Sequence, residues 1–205
     1  MPPVIPTKGN LMTLKRSLTL SRLGYDLMDR KRNILIREMM SLIDAAGELQ
    51  SQIDSSYSEA YEALQKASIT LGQNIVVHAS QSVPVDDSVN IRFTSVMGVE
   101  LPKTPDTVPE PKITYGFTST NSYVDDAYIL FNRVKHLTCR LAEVELSVYR
   151  LAYAIRKTQK RANALKNIII PNFVENIKTI TDALEEKDRE EFVRLKVIKR
   201  FSESS

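Results

Sequence analysis

The chain has 205 residues, 42% hydrophobic and 26% charged, with no Trp and a 7% aromatic content. Those values describe a folded chain of one or two domains and exclude a disordered one, while so few aromatics are thin for a compact globule. No apolar run approaches the ~18 residues that cross a bilayer, and "MPPVIPTKGN" lacks a charged-then-apolar signal, so the expectation is a cytoplasmic protein without membrane insertion. The single cysteine, Cys139, fits a reducing compartment. Net charge is only +3, but residues 1–71 carry 9 basic and 8 acidic groups, residues 72–126 carry 3 and 7, and residues 127–205 carry 16 and 10. The basic character belongs to the C-terminal third.

From Leu11 the apolar positions recur in alternating steps of three and four: Leu11, Leu14, Leu18, Tyr25, Met28, Leu35, Met39, Leu42, Ala46, Leu49 and Ile53, with Ser21 and Arg32 as polar exceptions. Such a heptad seam predicts one long helix within residues 1–71, about 90 Å for the 61 residues from Leu11 to Leu71. One added step of four to Tyr57, before Ala60, Leu64, Ala67 and Leu71, reads as a stutter. Residues 127–205 repeat the pattern through Leu130, Val134, Leu137, Leu141, Val144, Val148, Leu151, Ile155, Thr158, Ala162, Leu165 and Ile169. A second stutter leads to Phe173, Ile177, Ile180 and Leu184. A lone helix would leave its apolar stripe in water, so the two are expected to pair as an antiparallel coiled-coil hairpin whose facing residue numbers sum to about 201.

Between them, residues 72–126 hold five of the nine prolines and alternating runs at Val89–Phe93, Val96–Leu101 and Lys112–Phe117. Short strands bounded by Pro and Gly follow, expected as a small β element at the tip of the hairpin. The fold class is thus mainly α, a two-helix hairpin with a short β-hairpin at mid-chain.

Chemistry is scarce. There is no phosphate-binding glycine loop, no nucleophile motif and no Cys/His spacing for zinc, so no catalytic, cofactor or metal residues are expected. His136, off the seam, reads as a solvated surface histidine, and Cys139 as outward and incidental. Asp86-Asp87 read as solvated, and Asp125-Asp126, just before the second helix, as favouring its positive end.

The segment "IRKTQKRANALKNIIIPNF", Ile155–Phe173, stands apart: it lies in a stretch without an acid from Leu146 to Val174. Arg156, Lys157, Lys160 and Arg161 fall at heptad positions facing away from the partner helix, and Lys166 follows. The expected pairing sets residues 164–171 opposite Arg30, Lys31, Arg32 and Arg37, giving one basic belt. Such a belt reads as a solvated face, a nucleic-acid patch or a surface for an acidic protein, and the lack of interleaved aromatics disfavours nucleic acid. Pro171 removes a backbone donor and should bend the helix, next to the stutter.

Several stretches together, "PTKGNLMTLKRSL", "GYDLMDRKRNILIREMMSLI", "SVMGVELP", "TYGF", "KTQKRANALKNIIIPNF" and "REEFVRLKVIK", resemble the D subunit of the vacuolar- and archaeal-type ATPases along essentially the whole chain. The resemblance implies a non-catalytic central rotor shaft without a cofactor, its paired termini set in the hexamer of catalytic and non-catalytic nucleotide-binding subunits. It further implies the F subunit on the side of the shaft, an axial subunit linking the tip to the membrane ring, and H⁺ or Na⁺ transport or ATP synthesis. The family's basic motif maps onto Lys157, Lys160, Arg161, Asn163, Ala164, Leu165 and Pro171, its N-terminal motif onto Pro6, Thr7, Lys8, Leu11, Leu14 and Lys15, and its short β-hairpin onto about Val89 to Phe117. One departure is the neutral Gln159, where members commonly read Arg-Arg in the basic run. The alternative from residues alone is a basic coiled-coil scaffold or nucleic-acid binder.

Overall fold

The computed structural model describes residues 5–84, 89–104, 114–116, 118 and 120–203. Its elements are α1 (Lys8–Leu71), α2 (Gln73–Gln81), β1 (Arg92–Val96), β2 (Val99–Lys103), α3 (Ser122–Ala164), a π turn (Leu165–Ile169) and α4 (Ile170–Glu203). They form two compact units, one of residues 1–33 with 156–205 and one of residues 34–155. The units cut across α1 and α3.

In the first unit, α1 begins where Thr7 can cap it: the Thr7 hydroxyl accepts from the Asn10 amide at 3.2 Å and its carbonyl from the Leu11 amide. This gives the Pro6-Thr7-Lys8 stretch a local task. α1 lies antiparallel to the later helices, with Arg32 against Gln159, Tyr25 under Lys166, Gly24 beside Leu165 and Lys8 near Asp188. These pairs sum to 191, 191, 189 and 196 rather than about 201. α3 also starts at Ser122, five residues before the expected boundary.

Just before Pro171, where a bend is expected, the helix carries the π turn. A proline's ring crowds the carbonyl four residues back, here Asn167, and its nitrogen cannot donate. Opening the preceding turn relieves both problems: the Ile170 amide reaches the Leu165 carbonyl, five residues back, instead of closing an ordinary α turn.

In the second unit, α1 and α3 again run antiparallel, with Tyr61 edge-on to Phe131 (centroids 5.5 Å apart) and the Asn121 side-chain amide donating to the Thr70 hydroxyl at 2.8 Å. The heptad does not stutter at Tyr57. Ser56 is 4% exposed and Tyr57 37%, so burial continues in threes and fours through Ile53, Ser56, Ala60, Ala63 and Ala67. Helical phase overrides side-chain hydrophobicity here: a small serine fits the seam, while the Tyr57 ring stacks outside on Tyr61.

The β element also departs from expectation. β1 and β2 pair antiparallel with Val96 opposite Val99, so the turn is the two residues Met97 and Gly98, both with positive φ (51° and 76°), as a type I′ hairpin requires. Val89–Ile91 stand outside the strand, Thr114–Gly116 are not strand, and Lys112, Ile113 and Phe117 lie outside the described residues. Nor does the hairpin sit where the chain reverses. Leu101 is buried with Leu35 and Leu151, flanked by Met39, Leu42, Val96, Val99, Ala154 and Ile155. Two short strands cannot bury an apolar face by themselves, and the helix pair supplies the cover. Arg150 fastens the outside, donating to the Glu100 carbonyl at 2.9 Å and lying over the Phe93 ring, while Glu143 accepts from the Thr104 amide at 2.7 Å and from its hydroxyl.

The reversal is built instead from α2, an unforeseen element. Gly72, at φ 83°, separates it from α1. Ala79 then packs with Ala67, Tyr115 and Val124 around an apolar cavity of about 140 Å³. The Tyr115 hydroxyl donates to Asp125 at 2.6 Å, and burial, then that hydrogen bond, pushes its pKa well up from the ordinary 10.0.

Candidate functional site

The candidate site is the basic segment, and its helices place most of the named cations outward. In the first unit Arg30, Arg156, Lys157, Lys160, Arg161 and Lys166 are exposed and Lys31 is half-buried. Arg37, in the second unit, is exposed as well. The phase explains it: Thr158 and Ala162 are buried, at 6% and 1% exposed, so residues one or two positions away from them are turned out. Among the described residues, none of Arg30, Arg156, Lys157, Lys160 and Arg161 makes an ion pair with this chain. Their charges are available to a partner. Lys166 lies over the Tyr25 ring, 5.9 Å from its centroid.

Arg32 is different. It occupies a seam position and turns inward, where its guanidinium meets Asp29 at 2.7 Å, the Gln159 side-chain oxygen at 2.8 Å and Asn33 at 3.2 Å. Gln159 in turn donates to Asn163 at 3.0 Å. The pairing also differs from expectation: Arg32 meets Gln159, not residue 169. Gln159 is half-buried and engaged within the chain, so its neutral side chain bears on Arg32 and not on an outside contact. Sequence reasoning had the signal, since Arg32 broke the apolar stripe, but assigned it to the belt.

The seam residues hold the scaffold. Leu35 and Leu151 are fully buried, and Leu42, Leu49, Leu141, Val148 and Leu165 are half-buried. Gly24 stands opposite Leu165, where a Cβ would sit at ordinary contact, 3.9 Å from its Cδ1. His136 is not a solvated surface residue: it is half-buried with its Nε2 enclosed and lacking a partner, and Cys139 is half-buried too. Asp125 lies inside the first turn of α3 rather than before it. Asp86 and Asp87 lie outside the described residues. Among the described residues no group of three or more His, Cys, Asp or Glu side chains could hold a metal, and no helix is long and apolar enough to cross a membrane.

A second kind of exposed surface went unremarked in the sequence. Beyond Asp188, the residue near Lys8, α4 carries Phe192, Val193, Leu195, Val197 and Ile198 uncovered by this chain. Its signal was the run of large apolar residues, Phe192, Val193, Leu195, Val197 and Ile198, set among charges at the end of a helix, since uncovered apolar side chains clustered on one segment mark a surface for a partner.

Residues 10–200 match the family of the ATP synthase D subunit. The chain is 46% identical over 196 residues to the D subunit of a V-type ATP synthase from Thermotoga neapolitana, covering 96% of this chain and 97% of the relative. It is 38% identical over 212 residues to the D subunit of an A-type ATP synthase from Pyrococcus abyssi, covering 100% and 98%. A third relative, the corresponding A-type D subunit of Methanobrevibacter smithii, is 37% identical over 197 residues, covering 95% and 85%. With the helix pairs, the mid-chain β-hairpin and near end-to-end similarity in agreement, this chain belongs to the ATP synthase D-subunit family.

Proposed function

We propose that the protein is the central-stalk component of a rotary V- or A-type ATPase, a non-catalytic shaft that carries torque between the nucleotide-binding hexamer and the ion-translocating membrane ring. The observation that carries this reading is the antiparallel pairing of α1 in both units along a seam of buried residues, in a chain of the D-subunit family. A torque-bearing part needs stiffness and a defined outer surface more than a pocket. The chemistry then belongs to the catalytic and non-catalytic subunits of the hexamer, and the shaft itself requires no cofactor.

In this reading the uncovered apolar end of α4 and the outward cations face the hexamer. The F subunit takes the side of the shaft, the reversal built from α2 meets the axial subunit above the membrane ring, and Pro171 with its π turn marks a bend. The complex would lie on the cytoplasmic side of the membrane, peripheral to it, driving H⁺ or Na⁺ transport or making ATP. The outward cations suit acidic rims on a partner: Arg30, Arg156, Lys157, Lys160 and Arg161 make no ion pair among the described residues, and long-range attraction steers such contacts while leaving them easy to break as the shaft turns.

The test is assembly. Mixed with its cognate F subunit, the chain should form a stable one-to-one complex by size-exclusion chromatography that docks into the hexamer. Purified cognate partners that never co-elute would refute the reading. Changing Arg156, Lys157, Lys160 and Arg161 to Glu should leave helicity intact and impair docking or coupled ATP hydrolysis. Unchanged assembly and activity would make these residues a solvated face and nothing more.

A further inference from the structure

The inward turn of Arg32 calls for an explanation that neither the belt nor the shaft supplies. A seam position would be filled more stably by an apolar side chain, because a half-buried cation loses hydration that its partners only partly return. Here the partners are specific: Asp29 supplies a carboxylate from the same helix, and Gln159 supplies the acceptor from across the seam, its amide held by Asn163.

We propose that the Asp29–Arg32–Gln159–Asn163 network is a register lock, selecting the one alignment of α1 with α3 seen in the first unit. The heptad seam alone does not select it, since leucines and alanines at threes and fours accept a slide of seven residues nearly as well. A polar group at a single seam position discriminates where apolar ones do not. The sequence on either side of Gln159 makes the discrimination two-sided. A slide of one heptad in one direction sets Arg32 against Ala152, which has no side-chain acceptor, and in the other against Lys166, a like charge. At the position facing Arg32, the observed register places a neutral acceptor, whereas the two neighbouring ones place an alanine or a like charge, so the lock works by rejecting alternatives as well as by bonding. A cation at 159 would set two positive groups across the seam, which accounts for the neutral residue inside an otherwise basic run. The lock concerns how the helices align, and it stands whether or not the chain turns in a motor.

The experiment uses the full chain with Cys139→Ser, spin-labelled at Leu20→Cys and Ile168→Cys, both at exposed sites of the first unit. Distances are read by double electron–electron resonance. The labelled parent should give one distance. Arg32→Leu and, separately, Gln159→Leu should stay helical by circular dichroism yet add a second population, displaced along the helix axis by about 10 Å, the rise of seven residues. Gln159→Arg should be heterogeneous as well, and the exchanged pair Arg32→Gln with Gln159→Arg should return the single distance. One unchanged distance in both leucine variants would overturn the proposal. So would loss of helicity in Arg32→Leu, which would make the network a support of the fold and not of its register, or an exchanged pair that stays heterogeneous.

Discussion

Replacing Leu35 with Ala tests the packing that joins the β-hairpin to the helix pair. Leu35 is 0% exposed and shares its cluster with Leu101 of β2 and Leu151 of α3, so the truncation removes three carbon groups from a site closed on all sides. At ~0.8 kcal/mol for each, the lost transfer energy is about 2.4 kcal/mol. The cavity left among side chains from three elements raises the total to about 3 to 4 kcal/mol, within the range measured for buried leucines. For a chain of this size that corresponds to a fall in Tm of roughly 6 to 16 °C. Leu49→Ala is the internal control: Leu49 is a seam leucine too, but only half-buried, and its loss should cost about 1 kcal/mol. Thermal and urea melts followed by circular dichroism measure both. A double variant with Leu101→Ala should cost less than the sum of its parts, because the two side chains line one cavity. If Leu49→Ala costs as much as Leu35→Ala, or if the Leu35 and Leu101 effects add without coupling, the hairpin is not held through this cluster.

Two other perturbations address local devices. Pro171→Ala restores the missing amide and removes the ring, so the π turn should relax to α-helix and Tm should rise, with a gain of at most about 3 kcal/mol. A fall in Tm, or an unchanged hydrogen-exchange pattern over residues 165–170, would show that packing and not the proline holds the turn open. Tyr115→Phe should cost about 1.5 to 3 kcal/mol, the worth of a hydrogen bond to a carboxylate. The folded state raises the Tyr115 pKa, so its stabilisation is fully present below the ordinary value of 10.0 and is lost as pH climbs through the raised one. The parent should therefore weaken above pH 10 more steeply than Tyr115→Phe, and equal slopes in alkaline melts would refute the assignment.

The helices were legible because burial in a paired helix recurs at threes and fours, and Leu35, Leu42, Leu141 and Leu151 announce it by their spacing alone. Tyr57 shows where that legibility ends. Reading apolar residues as buried ones put a large ring into the seam and invented a stutter, when the phase passed through Ser56. The outward direction of Arg156, Lys157, Lys160 and Arg161 followed from the same phase and held. What one helix's periodicity does not carry is its alignment with another, and Arg32 meets Gln159, ten residues from the position expected.

The β-hairpin itself was legible at mid-chain, but its cover and the partner of Arg32 were not, since both depend on contacts between residues far apart in the chain. Val96, Val99 and Leu101 marked an apolar face but not its cover, and a place beside Leu35 and Leu151 is fixed only after the helices have paired. Arg32 appeared as a flaw in the stripe until Gln159 stood across from it. The two cases show a division of labour along α1. In the second unit, Leu35 binds the hairpin through apolar contacts, which tolerate small shifts because they lack direction. In the first, Arg32 uses directional hydrogen bonds that do not. A helix pair meant to stay aligned gains from having both, a non-directional core for cohesion and a polar pair that rejects the neighbouring registers.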